Sequence, residues 1–146
     1  MPSFGQWQYT NDRDATVLAY SRAIGGYTSR CDCTFCRNFV LVRAAVFPPQ
    51  FVAFLEKLGI DPSKDGEVYH EGAAAPQSHY YGGWYHFVGS LETTGDFEPV
   101  AYGDKLVAYL CRASAPRLPT LTDMAVVQLE FRAQGVSWEL DEEEPL

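Results

Sequence analysis

The sequence predicts an α+β domain in which two short helices pack on one face of a four- to five-stranded antiparallel sheet. Two observations carry this prediction. Apolar residues recur at helical spacing between residues 33 and 58, and strand-like runs replace them from residue 67 onwards. The chain has 146 residues, 47% of them hydrophobic, which suits one core. We therefore expect a single globular domain over residues 1–138, followed by an acidic C-terminal tail at 139–146.

The first 60 residues predict one extended segment and two helices. Thr16–Tyr20 is a β-prone run ahead of a glycine pair, and we expect a strand or an extended arm there. Apolar residues at helical spacing predict a first helix from about Cys33 to Val46. Pro49 is suited to begin a second helix, and Gly59 is suited to end it in the left-handed conformation. The two helices should form a corner at the proline pair between them.

The remainder of the chain predicts antiparallel strands. Short apolar and aromatic runs place them at residues 67–70, 80–92 and 106–112. Apolar and polar side chains also alternate on both sides of Gln134-Gly135, at residues 127–131 and 136–140. This last pattern predicts a hairpin with one buried face.

Nine apolar side chains are expected to form the core between the helical corner and the sheet. The helical stripes and the inner face of the hairpin must avoid water. These side chains are Phe35, Phe39, Val42, Phe51, Leu55, Leu58, Leu129, Phe131 and Trp138.

The charge of the chain argues against nucleic acid as a partner. The net charge is −8, which repels phosphate backbones, and the arginines are dispersed along the sequence. Acids concentrate after residue 138, where they predict a solvated tail. No apolar run approaches the roughly 20 residues that cross a bilayer, and the N-terminus lacks the features of a secretory signal. We therefore expect a cytoplasmic protein that does not bind membranes.

Three of the four cysteines lie within six residues, as Cys31, Cys33 and Cys36. The sulfurs of an extended Cys31–Cys33 segment point to the same side, and Cys33 and Cys36 share a face if a helix begins near Cys33. Three converging thiols can bind zinc, can exchange electrons, or can pack as small apolar groups. The sequence supports zinc binding and buried packing equally. It supports a redox pair less, because no strand of a thioredoxin-like unit precedes the motif.

A tetrahedral zinc site needs a fourth ligand, and the nitrogen and sulfur candidates are His70, His79, His86 and Cys111. His86 is the leading candidate, because its strand is the one expected to cross beside the helical corner. The same residue is also compatible with a core histidine bonded to the backbone or with a catalytic base.

The segment from His79 to Phe87 has an aromatic ring or an imidazole at seven of its nine positions. On a strand, Trp84 and His86 share one face, and Tyr85 shares the other face with Phe87. We treat Trp84, Tyr85 and His79 as candidates for a ligand-binding surface. Packing in the core, with polar tips hydrogen bonded, is the alternative.

Three segments resemble a family of small bacterial proteins of uncharacterised function. They are Cys-Asp-Cys-Thr-Phe-Cys-Arg-Asn-Phe at 31–39, Leu-Gly-Ile-Asp-Pro at 58–62 and Tyr-Gly-Gly-Trp-Tyr-His-Phe-Val-Gly at 81–89. The resemblance covers mainly residues 30–92. It implies a bacterial cytoplasmic domain, and it implies no catalytic residue.

Two functions fit these observations. The first is a binding domain, stabilised by zinc at the cysteine cluster, that presents its aromatic strand to a protein or small-molecule partner. The alternative is a thiol-dependent enzyme, with one of the clustered cysteines as nucleophile and His79 or His86 as base. Neither phosphate-binding motif, GxxxxGK[ST] or GxGxxG, is present.

Overall fold

The computed structural model describes all 146 residues and has an α+β fold. The helices are α1 (Arg13–Arg22), the single-turn α2 (Tyr27–Arg30), α3 (Thr34–Val46) and α4 (Pro49–Leu58). The strands are β1 (Ser3–Phe4), β2 (Trp7–Asn11), β3 (Glu67–Ala75), β4 (Ser78–Leu91), β5 (Val100–Tyr102), β6 (Leu106–Arg112) and β7 (Val126–Val136). The predicted class is confirmed. The predicted counts are too low, because the sheet has seven strands and three helices have ten or more residues.

All pairings in the sheet are antiparallel, and β4 is its central strand. The strand order is β1-β2-β4-β7-β6-β5, and β3 also pairs with β4. Strand β4 therefore pairs with three other strands. β7 pairs along one edge, and β3 and β2 pair along the other.

The helical corner is confirmed. Helices α3 and α4 meet at 101° across the proline pair. Pro49 begins α4, and Gly59 ends it with a φ of +88°, a conformation that a residue with a Cβ rarely adopts. No single helix is long and apolar enough to cross a membrane.

The core lies between this corner and one face of the sheet. Of the nine predicted core residues, seven belong to one cluster of 27 buried apolar side chains. Phe35 is partly buried against that cluster, and Trp138 is buried outside it. The predicted contact between helical stripes and sheet is therefore confirmed.

The predicted strand at Thr16–Tyr20 is wrong, because this segment lies inside α1. Asp12 caps the helix by accepting a hydrogen bond from the backbone N–H of Ala15 at 3.0 Å. Thr16 and Tyr20 are buried one turn apart, whereas Val17 is 40% exposed. Local β-propensity is overridden here by the contacts that the buried face of the helix makes.

The contacts of α1 pair the backbone of β4 in the stretch that lies between its pairing with β3 and its pairing with β2. The hydroxyl of Tyr20 donates to the carbonyl oxygen of His86 at 2.7 Å and accepts from its N–H at 3.3 Å. Thr16 Oγ1 accepts from the N–H of Val88 at 3.0 Å, and the N–H of Asp12 donates to the Val88 carbonyl at 2.8 Å. Side chains of a helix thus replace a missing strand, because buried backbone groups must be paired.

The predicted hairpin at Gln134-Gly135 is also wrong. The chain continues through this dipeptide as β7, and the register shifts where His79 faces Val136 and Tyr81 faces Ala133. Gly135, with a φ of +64°, lies inside this bulge and does not form a turn.

The segment 114–116 lies against the opposite face of the sheet. Gln128 Oε1 accepts from the backbone N–H of Ser114 and of Ala115, both at 3.0 Å, and lies 3.1 Å from His86 Nε2. An amide oxygen only accepts, so His86 Nε2 carries the proton and its buried Nδ1 has no partner. His86 is 1% exposed, and burial lowers its pKa to about 4.

Replacement of Tyr20 by Phe should destabilise the protein. The change removes one hydroxyl and leaves the N–H and carbonyl of His86 buried without a partner, at a cost of about 1–3 kcal/mol. Urea unfolding measures this directly. Tyr80→Phe is the matched control, because Tyr80 is 39% exposed on the same strand as His86, and it should change stability little. Equal stability of the two variants would contradict the role assigned to Tyr20.

Stability should also fall in acid because of His86. Its folded-state pKa of about 4 lies below the usual 6.5, so the unfolded chain binds the proton first. The stability that depends on neutral His86 is complete above about pH 6.5 and is lost as the pH falls towards about 4. Between about pH 7.5 and pH 5 the wild type should lose about 2 kcal/mol more than His86→Gln. Equal losses of stability in the wild type and in His86→Gln over this pH range would refute the role assigned to His86.

Candidate metal centre

The sulfurs of Cys31, Cys33 and Cys36 lie within 4.8 Å of one another. The sulfurs of Cys31 and Cys33 are 3.3 Å apart, and all cysteines of the chain are free thiols. Cys33 is also the N-cap of α3, where its sulfur accepts from the N–H of Cys36 at 3.4 Å. The predicted convergence of the three thiols is confirmed. It arises because the extended Cys31–Cys33 segment runs directly into the first turn of a helix.

A buried carboxylate anchors the segment that precedes the cysteines. Asp65 is 1% exposed and accepts from the hydroxyl of Thr28 at 2.6 Å and from its N–H at 3.3 Å. The backbone carbonyl oxygen of Asp65 accepts from the N–H of Tyr27 at 3.0 Å. Gly26 leaves no room for a side chain, because a Cβ there would lie 2.4 Å from the backbone nitrogen of Asp65. These contacts attach α2 to the loop before β3, and α2 leads directly to Cys31.

The three thiols differ in exposure and acidity. Cys33 is exposed and Cys31 is half-buried, whereas Cys36 is 4% exposed. Hydrogen bonds, first from the backbone of Cys33 and then from the side chains of Cys36 and Cys33, lower the pKa of Cys31. Burial raises the pKa of the Cys36 thiol. A cation bound among the sulfurs would favour the thiolate form of each of them.

A cavity of about 200 Å³ adjoins the cluster. Its walls include Tyr27, Cys33, Cys36, Tyr69, His70 and Tyr81. His70 stacks on the ring of Phe35, with centroids 4.0 Å apart and planes 16° apart. Tyr81 donates its hydroxyl hydrogen to the carbonyl oxygen of Phe35 at 2.9 Å. The first turn of α3 is thus held against β3 and β4, and a histidine faces the same cavity as two of the cysteines.

His70 begins a partly buried chain of hydrogen-bonding groups. His70 Nε2 lies 2.8 Å from His79 Nδ1, and His79 Nε2 lies 2.7 Å from Glu144 Oε2. His79 is fully buried. Burial, and secondarily the neighbouring His79, lower the pKa of His70, which favours its neutral form. A hydrogen bond from the N–H of Gln77 is the largest cause that lowers the pKa of Glu144.

The backbone at Gly72 determines which nitrogens carry protons. Strand β3 has a bulge between His70 and Gly72, and the φ of Gly72 is +119°. In this conformation the N–H of Gly72 donates to His70 Nδ1 at 3.3 Å. His70 must then carry its proton on Nε2 and donate it to His79 Nδ1. His79 in turn carries its proton on Nε2 and donates it to Glu144.

The acidic C-terminal segment folds back onto this region. The amide oxygen of Asn38, a fully buried residue of α3, accepts from the N–H of Glu139 at 2.7 Å and of Leu140 at 3.2 Å. The carboxylate of Glu142 pairs with the Arg37 guanidinium, and Glu144 binds Gln77 and His79. Two of the acids expected to be solvated therefore contact the residues around the cysteine cluster.

None of the other predicted site residues belongs to the cysteine group. His86 does not belong to the cysteine group but contacts Gln128 on the opposite face of the sheet. Tyr85 and His79 are both 0% exposed, so neither presents a side chain to an external ligand. Trp84 is half-buried, and its Nε1 donates to the carbonyl of Pro116 at 2.9 Å. The predicted alternation of side chains along the strand is correct, but the face that includes Tyr85 packs in the core.

Three residues that organise the site were not singled out by the sequence. Asn38, Asp65 and Glu144 are polar residues that occur in a helix, a turn and a terminal acidic run. Their importance depends on partners that are 37 to 102 positions away in the sequence. No periodicity or local motif marks such contacts.

No protein-family model matches the chain, and comparisons with curated proteins and with solved structures find no similar protein.

Proposed function

We propose that this protein is a zinc-binding domain whose thiolate centre adjoins a ligand cavity. The observation that supports the proposal most is the grouping of three free thiols within 4.8 Å of one another. In a tetrahedral site with bonds of about 2.3 Å, the sulfurs lie about 3.8 Å apart. The cluster needs only small side-chain adjustments to reach that arrangement.

Zinc is favoured over other ions by the chemistry of the ligands. Thiolates are soft donors, and zinc sites with three or four cysteines are common in proteins. Calcium and magnesium prefer oxygen ligands, which the cluster does not supply. Free thiols also fit a reducing compartment, so we propose a cytoplasmic location.

The metal is proposed to shape a binding site, and the fold does not depend on it. The cluster of 27 buried apolar residues includes none of the cysteines. The cavity beside the sulfurs is lined by Tyr27, Tyr69 and Tyr81, which combine apolar rings with hydroxyl groups. These features support a small-molecule or peptide ligand bound next to the metal.

A thiol-dependent enzyme is the second candidate, favoured by the hydrogen-bonded order Glu144, His79, His70. In enzymes with a catalytic nucleophile, a carboxylate commonly orients the imidazole that acts as the base. Rapid alkylation of Cys31 or Cys33 at neutral pH in zinc-loaded protein would favour the enzyme, because thiolates bound to zinc should react slowly.

Protein purified without chelators should contain about one zinc ion per chain, by elemental analysis. Cys31→Ser and Cys33→Ser should each abolish this stoichiometric binding, because a hydroxyl is a poor substitute for a thiolate. Cys111→Ser is the matched control and should retain the metal, since Cys111 instead donates to Glu130 at 3.4 Å. Removal of zinc by a chelator should leave the circular dichroism spectrum of the folded chain unchanged. Failure of the wild type to bind zinc under reducing conditions would refute the proposal.

A further inference from the structure

We propose that His70 is the fourth ligand of the metal centre, through Nδ1, and that His79 and Glu144 hold its imidazole in the required protonation state. This inference rests on the proposed metal-binding function and assigns to it a ligand other than His86. It follows from the position of His70, from its tautomer and from the partners of the other candidates.

The position of His70 connects β3 to the turn that carries the cysteines. Its ring stacks on Phe35, which lies between Cys33 and Cys36 in the sequence, and it lines the same cavity as both cysteines. Tyr81 contacts the edge of the imidazole, with ring centroids 5.2 Å apart. His70 therefore lies in the wall of the cavity that Cys33 and Cys36 also line.

The tautomer of His70 is the one that a metal-binding Nδ1 requires. Nδ1 carries no proton, and its present partner is the N–H of Gly72 at 3.3 Å, a long hydrogen bond that a metal can replace. Nε2 donates to His79, which itself donates to Glu144. Histidines that bind metals generally donate their other N–H to a carboxylate or to another acceptor, which fixes the ring and strengthens the ligand. Here the acceptor is a second histidine backed by a carboxylate.

The remaining candidates are occupied by other partners or lie on the opposite face of the sheet. Both nitrogens of His79 are used within the hydrogen-bonded chain, and His86 lies beside Gln128. Cys111 contacts Glu130 on β7. Among the residues that line the cavity, Glu67 is the one carboxylate, and it competes with His70 for the fourth position.

Binding requires a movement, because His70 is not a member of the group of sulfurs that lie within 4.8 Å of one another. Cys31 and Cys33 are the more exposed cysteines, and they lie in the non-helical link between α2 and α3. We assign the movement to this link, because the ring of His70 is held by Phe35 and His79.

X-ray absorption at the zinc edge tests the assignment on the full-length wild-type protein. The expected shell is three sulfurs at about 2.3 Å and one nitrogen at about 2.0–2.1 Å, with the scattering pattern of an imidazole ring. His70→Ala should lose the imidazole scattering while retaining the three sulfurs. His86→Gln, which alters a buried histidine on the opposite face of the sheet, is the matched control and should leave the shell unchanged.

Competition titrations with a chromogenic zinc chelator test the role of the carboxylate. Glu144→Gln should weaken zinc binding by up to about ten-fold, the low end of the effect of removing a group that touches a metal ligand, because Glu144 acts on His70 through His79. The matched control is Glu143→Gln, because Glu143 is exposed and makes no hydrogen bond with its side chain. It should leave the affinity unchanged.

The outcomes separate the two proposals. Zinc bound by the wild type with three sulfurs and an oxygen, or imidazole scattering that persists in His70→Ala, would overturn the role of His70 and leave the thiolate centre intact. Absence of zinc from the wild type would overturn both. A wild-type spectrum without imidazole scattering overturns the assignment by itself, so that outcome does not depend on the folding of a variant.

Discussion

The pairing of every backbone group on β4 is the constraint on which the rest of the structure depends. Half of the residues of this strand are buried, and an unpaired N–H or carbonyl there costs free energy comparable to a lost hydrogen bond. β7 satisfies one edge, while β3, the hydroxyls of Tyr20 and Thr16, and β2 satisfy the other in succession. Helix α1 is therefore required by the sheet, and its register is set by two hydroxyl groups.

The same strand also determines where the chemistry lies. Tyr81 of β4 reaches the first turn of α3 through the carbonyl of Phe35, and His79 of β4 contacts His70 of β3. Because β3 and β4 are held in register by seven residue pairs, the histidines and the cysteine turn have fixed relative positions. The cavity between them is a consequence of the sheet, and the bulge at Gly72 aims one N–H at His70.

The C-terminal segment closes this arrangement from outside. Asn38 binds its backbone from within the domain, while Arg37 and Gln77 bind its carboxylates. Arg37 and Glu142 are each 43% exposed, so their ion pair contributes little to stability in water. The buried contacts matter more, since Glu144 lies beside a histidine with no exposed surface. An acidic terminus thereby becomes part of the surroundings of the proposed metal centre.

How much of this protein could be predicted from its sequence depends on the range of the interactions involved. Helices α3 and α4 follow from apolar spacing, prolines and Gly59. The proximity of the three sulfurs follows from their separation in the sequence, because helix and strand periodicity are local properties. The β-prone run at Thr16–Tyr20 became a helix, and Gln134-Gly135 became a bulge, because tertiary pairing outweighed local preference.

The surroundings of the cysteines were decided by the tertiary structure alone. Asp65, Asn38 and Glu144 reach partners at least 37 positions away, and His70 rather than His86 shares a cavity with the thiols. The order in which strands pair in the sheet selects which histidine lies beside the cysteines, and a single sequence carries no local signal of that order.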